Sequence, residues 1–395
     1  MLVLLFLFVQ TALAAGPEVY VGRLTASSAI LAWGKTEGKG NTIGRGAASP
    51  GRAEVDIGGA IHTTQQSWMD VEGLRPDSDY PYAVRLNGIE IGRGTLHTWP
   101  AQTKHLRFFV IGDYGNGSSG QYEIARAMEH QFAADADSPP RFVITTGDNI
   151  YGFPLGFMTL HSGNRDQDWQ SRFFEPYRPL LRSIPFYPSL GNHDGDQTEN
   201  AGDLGVYLDN FFFPADPPAR YYQFSIGGLA DFFALDSTNQ TGSAAGPQSE
   251  QFIWLSKALE ASRAKWKIVY FHHPPYTAGP LHGASLRMLQ HWVDLFQRSG
   301  VQMVFNGHEH NFQYARHEGI HYFVTGAGGE LRTGDIARKL EAAGVEAFAN
   351  ERHFLEVELD ENQAAVHIWG ANGELHPVDK NHKPIATPIR VRVSK

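Results

Sequence analysis

The sequence predicts two domains, an all-β domain followed by a layered α/β domain. A chain of 395 residues with 42% hydrophobic and 19% charged residues is long and apolar enough for two well-packed domains. Residues from about 17 to 102 form short apolar runs separated by Gly, Pro and Asn clusters, a pattern typical of strands and turns. From Leu106 onward, strand patterns alternate with helical patterns, which is typical of β-α-β units. We place the linker at Pro100–Lys104, so the domains span 15–102 and 103–395.

The first fourteen residues predict a signal peptide. They form a Leu/Phe/Val-rich run that closes with Ala12-Leu13-Ala14, a small-residue pattern that suits signal-peptidase cleavage. Cleavage there predicts a mature protein that begins near Ala15 and is secreted or periplasmic. Because no Lys or Arg precedes the run, a buried first strand is the alternative. The run is shorter than the roughly 20 residues that a membrane-spanning helix needs, and no second segment qualifies.

The early strands of the front domain include Ser28–Trp33, in which Trp33 is the expected core aromatic. The later segment Gly73–Val84 resembles the second half of a fibronectin type III sandwich. In that resemblance Tyr80 occupies the corner position, where a tyrosine hydroxyl hydrogen-bonds back to the chain. The front domain is therefore predicted to be fibronectin type III-like.

The α/β domain is predicted from apolar strands and helices with 3.6-residue periodicity. An irregular helical segment, 166–174, is expected to pack its aromatic residues on the sheet. The predicted strands are Leu106–Ile111, Arg141–Thr146, Trp266–Phe271, Val301–Phe305, Gly319–Thr325, His353–Leu359 and Ala364–Gly370, and the predicted helices are Gln121–Phe132, Trp254–Ser262 and Leu286–Arg298.

Charge and cysteine content exclude several classes of protein. A net charge of -9 and a pI of about 6.0 argue against a protein that binds nucleic acids in general or anionic membrane surfaces. The chain has no cysteine, so disulfide bonds and thiolate metal ligands are both excluded. Any metal ligands must therefore be oxygen or imidazole groups.

Five segments end an apolar run with side chains of that kind. They are Gly112-Asp113-Tyr114-Gly115, Gly147-Asp148-Asn149-Ile150-Tyr151, Gly191-Asn192-His193-Asp194, Val269-Tyr270-Phe271-His272-His273 and Gly307-His308-Glu309-His310. Carboxylate, phenolate, amide and imidazole groups brought to one place can hold two metal ions. The set predicts a dinuclear site at the ends of strands.

Each motif also has an ordinary interpretation. An Asp after a strand is often a turn former, and Tyr151 alone is typical of a packed aromatic residue with a hydrogen-bonded hydroxyl. Five such motifs in one chain favour the metal site. Within it, we expect the Asp148 carboxylate to bridge both ions through its two oxygens. We expect His193 to donate a proton, with Asp194 orienting its ring.

The ordered set Asp113, Asp148 with Tyr151, Asn192-His193, His272 and His308 with His310 resembles the purple acid phosphatases, which belong to the calcineurin-like metallophosphoesterases. The resemblance runs from about Leu106 to Gly370 and implies a four-layer α/β/β/α sandwich. It implies one ion held by Asp113, Asp148, Tyr151 and His310, and a second held by Asp148, Asn192, His272 and His308. It further implies Fe(III), because a phenolate is a hard anionic donor, together with a divalent Fe, Zn or Mn ion.

The expected function is that of a secreted acid phosphatase, which hydrolyses small-molecule phosphate monoesters by in-line attack of a metal-bound hydroxide. Two carboxylates, a tyrosinate and a hydroxide carry four negative charges against five positive charges of the ions, which leaves a cationic pocket for phosphate. His193 is the candidate acid for the leaving group. His273 and His282 are candidate phosphate contacts, although Gly279–Gly283 is alternatively only a surface loop.

Two alternatives remain open. A phosphodiesterase or nucleotidase can use the same metal site. A secreted binding module, in which the metals only stabilise the fold, is a different class of protein altogether, but a structural metal site has no need of an extra acid such as His193.

Overall fold

The computed structural model describes residues 17–37, 40–41, 48–155, 158–160, 166–195, 204–214, 220–238, 246–279 and 281–393. The predicted signal peptide, 1–14, lies outside these residues. Within them, no helix combines the length and the apolar character needed to cross a membrane.

The front domain is all-β, as predicted. Strands β1, β2 and β7 form one antiparallel sheet in the order β1-β2-β7, and the second sheet has the order β6-β5-β8-β9. A short two-stranded ribbon pairs β3 with β4. The strands are β1 (Glu18–Leu24), β2 (Ser28–Gly34), β3 (Thr36–Glu37), β4 (Gly40–Asn41), β5 (Ala48–Ile57), β6 (Ala60–Gln66), β7 (Trp68–Glu72), β8 (Asp79–Leu86) and β9 (Ile89–His97).

Trp33 and Tyr80 lie where the sequence predicts them. Trp33 is fully buried on β2, among the side chains that fill the space between the sheets. The Tyr80 hydroxyl accepts a hydrogen bond from the backbone N–H of Arg75 at 2.7 Å. This bond ties the start of β8 to the preceding turn. The relation of the domain to fibronectin type III sandwiches stays a prediction.

The second domain alternates strands with helices. It comprises β10 (His105–Ile111), α1 (Ser119–Ala134), β11 (Val143–Thr145), β12 (Phe153–Leu155), β13 (Met158–Leu160), α2 (Asp166–Trp169), a π-helical turn (Gln170–Phe174), α3 (Glu175–Leu181), β14 (Phe186–Pro188), α4 (Asn192–Gly195), α5 (Gly205–Asn210), β15 (Tyr222–Ile226), β16 (Ala230–Ala234), α6 (Glu250–Ala261), β17 (Trp266–Tyr270), α7 (Leu286–Arg298), β18 (Met303–Asn306), β19 (Phe312–His317), β20 (Ile320–Thr325), α8 (Ala337–Ala343), β21 (Ala347–Ala349), β22 (Phe354–Asp360), β23 (Gln363–Gly370), β24 (Gly373–Glu374) and β25 (Ile389–Arg392).

Apart from β12 and β13, which pair only with each other, these strands form two mixed sheets. The first has the order β14-β11-β10-β22-β23-β24, with β25 also paired to β23, and its β14, β11 and β10 are parallel. The second has the order β15-β16-β17-β18-β20-β19-β21, and β16, β17, β18 and β20 are parallel. Each sheet therefore has several parallel strands whose carboxyl ends share one edge.

The sheets pack face to face through aromatic side chains. Phe108 of β10 stacks on Phe142 at 5.3 Å between ring centroids and meets Phe232 of β16 edge-on at 5.1 Å. Helices α6 and α7 cover the outer face of the second sheet, where Leu255 and Trp292 are fully buried. Helix α1 contacts β23 and α3 on the side of the first sheet. The predicted α/β/β/α sandwich is confirmed.

Two helices begin earlier than their apolar periodicity predicts. Helix α1 begins at Ser119 because the Ser118 side chain caps it, accepting the N–H of Gln121. Helix α6 begins at Glu250 rather than Trp254 because Ser249 caps it through the N–H of Phe252. Both starts are therefore defined by a serine cap, a signal that apolar periodicity alone does not include.

The front domain is fastened to the α/β domain. The buried Glu18 carboxylate on β1 pairs with Arg178 of α3 at 2.6 Å. The Tyr82 hydroxyl donates to the carbonyl of Arg182 at 2.8 Å, and Trp99 packs on Phe142 at 5.9 Å. One hydrophobic core runs through both domains, so the front domain supports the first sheet.

Candidate metal centre

The five motifs converge because their strands end at the same edge of the α/β sandwich. Strands β10, β11 and β14 of the first sheet lead to Asp113, Asp148 and Asn192, and β17 and β18 of the second lead to His272 and His308. Side chains that follow the carboxyl ends of parallel strands are brought together at that edge.

One donor cluster surrounds the Tyr151 hydroxyl. Its oxygen lies 3.2 Å from Asp113 Oδ1, 3.0 Å from Asp148 Oδ2 and 3.2 Å from His310 Nε2. His310 Nε2 also lies 3.3 Å from Asp113 Oδ1. The structure thus brings together the four side chains that the sequence analysis assigns to one ion. We call them the tyrosine cluster.

A second cluster surrounds the Asn192 amide oxygen. That oxygen lies 2.9 Å from His272 Nε2 and 3.0 Å from His308 Nδ1, and the two ring nitrogens are 3.1 Å apart. These three side chains, which we call the asparagine cluster, are the remaining predicted ligands of the second ion.

Asp148 Oδ2 joins the two clusters. It lies 3.0 Å from the Tyr151 hydroxyl and 3.4 Å from His272 Nε2. The other oxygen, Oδ1, accepts the backbone N–H of His193 at 2.9 Å. The sequence analysis expects Asp148 to bridge the two ions through both of its carboxylate oxygens. In the structure, only Oδ2 faces both clusters.

The donor chemistry of both clusters fits cations. His272 Nδ1–H donates to the Thr146 carbonyl at 2.8 Å, which leaves the Nε2 lone pair directed at the asparagine cluster. Burial lowers the pKa of His272 and His308, and burial followed by the Arg332 charge lowers the pKa of His310 to about 3, so all three rings are neutral. His272 Nε2 and Asn192 Oδ1, two acceptor atoms 2.9 Å apart, repel each other unless a cation lies between them.

The carboxylate side of the site is equally unfavourable without positive charge. Burial and the nearby Asp148 carboxylate raise the pKa of Asp113 well above its usual range. Burial, followed by Asp113 and Asp148, raises the pKa of Tyr151. Bound cations reverse these penalties, because they favour the carboxylate and phenolate forms. The residues present therefore fit a pair of metal ions.

Three of the donor residues occupy left-handed backbone conformations. The φ angle is 52° at Asp113, 49° at Asp148 and 72° at His308. Such a conformation costs about 1–3 kcal/mol for a residue other than glycine and is concentrated at functional sites. The surrounding fold stabilises this conformation at three positions where the chain turns and directs a donor group into the site.

Glycines precede the donors because the backbone passes directly against neighbouring ligands. A Cβ atom at Gly191 would overlap with the backbone nitrogen and Oδ1 of Asp148. A Cβ atom at Gly307 would overlap with Asp113 Oδ2. The repeated Gly before Asp, Asn or His is therefore a packing requirement of the site.

His193 lies beside the tyrosine cluster, but the prediction that Asp194 orients the His193 ring is wrong. The His193 ring is 4.4 Å from the Tyr151 ring between centroids and is partly exposed. The buried Asp194 carboxylate instead accepts the N–H groups of Asn149, Ile150 and Gly191. Asp194 thereby holds two loops of the site together. It does not contact the His193 ring, because the helical turn α4 directs the side chains of adjacent residues apart.

The other two candidate residues lie beside the asparagine cluster. The His273 ring is 4.6 Å from the His308 ring, and its Nδ1 lies 2.9 Å from Ser237 Oγ. The His282 ring is 4.1 Å from the His308 ring and is partly exposed. The structure therefore brings His193, His273 and His282 to the same site as the seven predicted ligands.

Sequence reasoning missed three supporting residues. Asn149 bonds the hydroxyls of Tyr114 and Thr145 and the carboxylate of Asp194. The fully buried Glu309 accepts the backbone N–H of His282. Arg332 lies against the His308–His310 segment. The position of Glu309 between two predicted ligands was an available signal, whereas no sequence motif marks Arg332.

Comparison with known proteins identifies a family and relatives that agree with the predicted phosphoesterase site. Residues 106–312, just over half of the chain, match the family described as calcineurin-like phosphoesterase. Purple acid phosphatase 3 of Arabidopsis thaliana is 28% identical over 303 residues, which cover 70% of this chain and 78% of that protein. An uncharacterized protein of Mycobacterium tuberculosis is 25% identical over 339 residues, which cover 75% of this chain and 61% of that relative.

A solved structure shares the fold over nearly the whole chain. The purple acid phosphatase PPD1 from yellow lupin (Lupinus luteus) seeds superimposes with a TM-score of 0.70 at 15% identity, covering 96% of this chain and 74% of that one. At this identity the likeness shows the fold alone.

Gly191→Ala is expected to disrupt the centre, since the added Cβ atom would displace Asp148. Metal content after dialysis, measured by inductively coupled plasma mass spectrometry, should fall by at least half. Gly283→Ala is the matched control, because a Cβ atom there meets nothing within 4 Å, and it should retain the wild-type content. Equal metal content in the two variants would contradict the packing argument.

Proposed function

Because the chain belongs to the calcineurin-like phosphoesterase family, we propose that it is a metal-dependent phosphomonoesterase similar to purple acid phosphatases. The observation that carries the proposal is the position of Asp148 Oδ2 between the two donor clusters. The names of the relatives, among them purple acid phosphatase 3 of Arabidopsis thaliana, support the same substrate class.

The proposed ligands of one ion are Asp113, Asp148, Tyr151 and His310, and those of the other are Asp148, Asn192, His272 and His308. A phenolate donor favours Fe(III) at the first position, and the neutral amide and imidazole donors favour a divalent Fe, Zn or Mn ion at the second. When bound, such a pair supplies Lewis-acid stabilisation of a phosphoryl group and lowers the pKa of water.

The chain's own residues have distinct proposed roles. Buried Asp113 and Asp148 offset part of the cationic charge, and the remaining positive charge attracts phosphate to an otherwise acidic protein. His193 is positioned beside Tyr151 to donate a proton to the leaving oxygen. His273, held by Ser237, and His282, held through its backbone by Glu309, are positioned to donate hydrogen bonds to phosphate oxygens.

The cellular location and the domain division are parts of the proposal. We propose a secreted or periplasmic protein, on the basis of the apolar run at 1–14 and its Ala12-Leu13-Ala14 ending. The front domain, 15–102, is proposed as a fibronectin type III-like support, which agrees with its attachment to α3 through Glu18 and Arg178. The catalytic domain is proposed to span 103–395.

Metal dependence is the first expected outcome. Purified protein should hydrolyse 4-nitrophenyl phosphate, and chelation or Asp148→Asn should reduce kcat by at least about 1,000-fold. Chelation removes the ions, and the substitution removes the anionic carboxylate that the two clusters share. The exposed Asp294→Asn is the control, and it should retain activity. Full activity of the metal-free protein would disprove the proposal. A clear preference for bis(4-nitrophenyl) phosphate would instead identify a phosphodiesterase.

Colour is an independent expected outcome. Charge transfer from a Tyr151 phenolate to Fe(III) should give the iron-loaded protein a broad visible absorption band, and Tyr151→Phe should abolish that band. Tyr114→Phe removes another buried hydroxyl, which donates to Asn149, and should leave the band in place. If the Tyr151→Phe protein keeps the wild-type spectrum, Tyr151 is not a ligand.

The role of His193 can be tested with leaving groups of different basicity. If His193 protonates the leaving oxygen, His193→Asn should reduce kcat by about 100-fold on an alkyl phosphate such as glycerol 2-phosphate. The loss on 4-nitrophenyl phosphate should be much smaller, because 4-nitrophenolate leaves without a proton. The exposed His130→Asn on α1 serves as the control. Equal losses on both substrates would show that His193 does not act as the acid.

A further inference from the structure

Arg332 lies beside the donor clusters without belonging to either. Its backbone N–H donates to the His310 carbonyl at 2.8 Å, and its guanidinium Nη1 lies 3.5 Å from the His308 carbonyl oxygen. Both contacts are to the short segment that carries one donor of each cluster. The arginine is therefore fixed against the metal centre, although 22 residues of chain separate it from His310.

Arg332 lies at the boundary between the innermost donors and solvent. Asp113, Asp148 and His272 are essentially inaccessible, whereas Arg332 is partly exposed, as is the neighbouring His282. Arg332 is thus placed at the rim of the site.

The charge of Arg332 reaches the groups around it. Its guanidinium is close enough to Asp113, Glu309, His282 and His310 to interact electrostatically with each of them. Among the residues that the structure describes, no carboxylate lies within 4 Å of the guanidinium to form an ion pair. The positive charge is therefore left for another partner.

A cation in this position is unfavourable next to a metal centre. The guanidinium and bound metal cations would repel each other, because their charges have the same sign. An anion between or beside the charges offsets that repulsion. Under the proposed function, the metal ions and the imidazoles of His193, His273 and His282 would contact the phosphoryl group, so the guanidinium would be left for a second anionic group.

We propose that Arg332 is a specificity-determining residue, which binds a second anionic group carried by the leaving group of the substrate. The preferred substrates are accordingly phosphate monoesters whose organic part bears a carboxylate or a further phosphate. This inference rests on the proposed function and names the substrate class of that same site.

A structural role for Arg332 makes a different prediction. If the side chain only fastens the His308–His310 segment, its loss should impair all substrates alike. Arg332→Gln keeps hydrogen-bond donors but removes the charge, whereas Arg332→Lys keeps the charge. Comparing the two variants separates charge recognition from fastening.

The test uses a matched pair of substrates on the metal-loaded full chain. Phenyl phosphate and 4-carboxyphenyl phosphate differ by one carboxylate, so the ratio of their kcat/KM values isolates recognition of the second anion. Arg332→Gln should reduce the preference for the carboxylated ester by about ten-fold, which corresponds to about 1.4 kcal/mol, mainly through KM. Arg332→Lys should retain most of the preference. The control is Arg316→Gln, an exposed arginine 4.0 Å from Glu346, and it should keep the wild-type ratio.

Binding provides a readout that does not require turnover. By isothermal titration calorimetry, 4-phosphonobenzoate should bind the wild-type protein more tightly than phenylphosphonate, and Arg332→Gln should remove that difference. An unchanged substrate ratio in Arg332→Gln, or equal binding of the two phosphonates to the wild type, would overturn the inference. If the wild type hydrolyses neither ester, the proposed function fails, and the phosphonate titrations still decide the role of Arg332.

Discussion

The position of a single carboxylate oxygen, Asp148 Oδ2, between the two donor clusters is the constraint on which the rest of the site depends. It lies within 3.4 Å of donors from both clusters, while Oδ1 is held by the backbone N–H of His193. The residue is buried and its backbone is left-handed, so the carboxylate has no freedom to turn towards solvent. Two cations that shared this oxygen would be held at a separation fixed by the protein, which is the geometry that phosphoryl chemistry requires.

The fold is built around that constraint. Two mixed sheets meet through Phe108 and its aromatic neighbours, and this packing sets the edges of the sheets beside each other. Their parallel strands then deliver acidic and amide donors from the first sheet and imidazoles from the second. Glycines allow the loops to approach within contact distance of the ligands, and Asp194 ties two of the loops together through backbone N–H groups. The front domain stiffens the first sheet from the side of α3.

Much of this arrangement was predictable, because the information is local in sequence. Apolar runs that end in Gly followed by Asp, Asn or His mark both the strand end and the donor. The start of α6 was missed because it is defined by the Ser249 cap, which apolar periodicity alone does not reveal. The direction of the Asp194 side chain could not be predicted, because adjacency to His193 does not determine where a residue in a helical turn points. Arg332 was missed for a different reason. Its contact with the His308–His310 segment arises only from tertiary folding.

The central claim is that the seven predicted ligands hold two ions that share Asp148. The most direct measurement is anomalous diffraction at the iron and zinc absorption edges, from crystals of protein loaded with both metals. The account predicts two peaks about 3.5–4 Å apart, one beside Tyr151 and one beside Asn192, with Asp148 Oδ2 between them. A single peak, or two peaks outside these clusters, would contradict it.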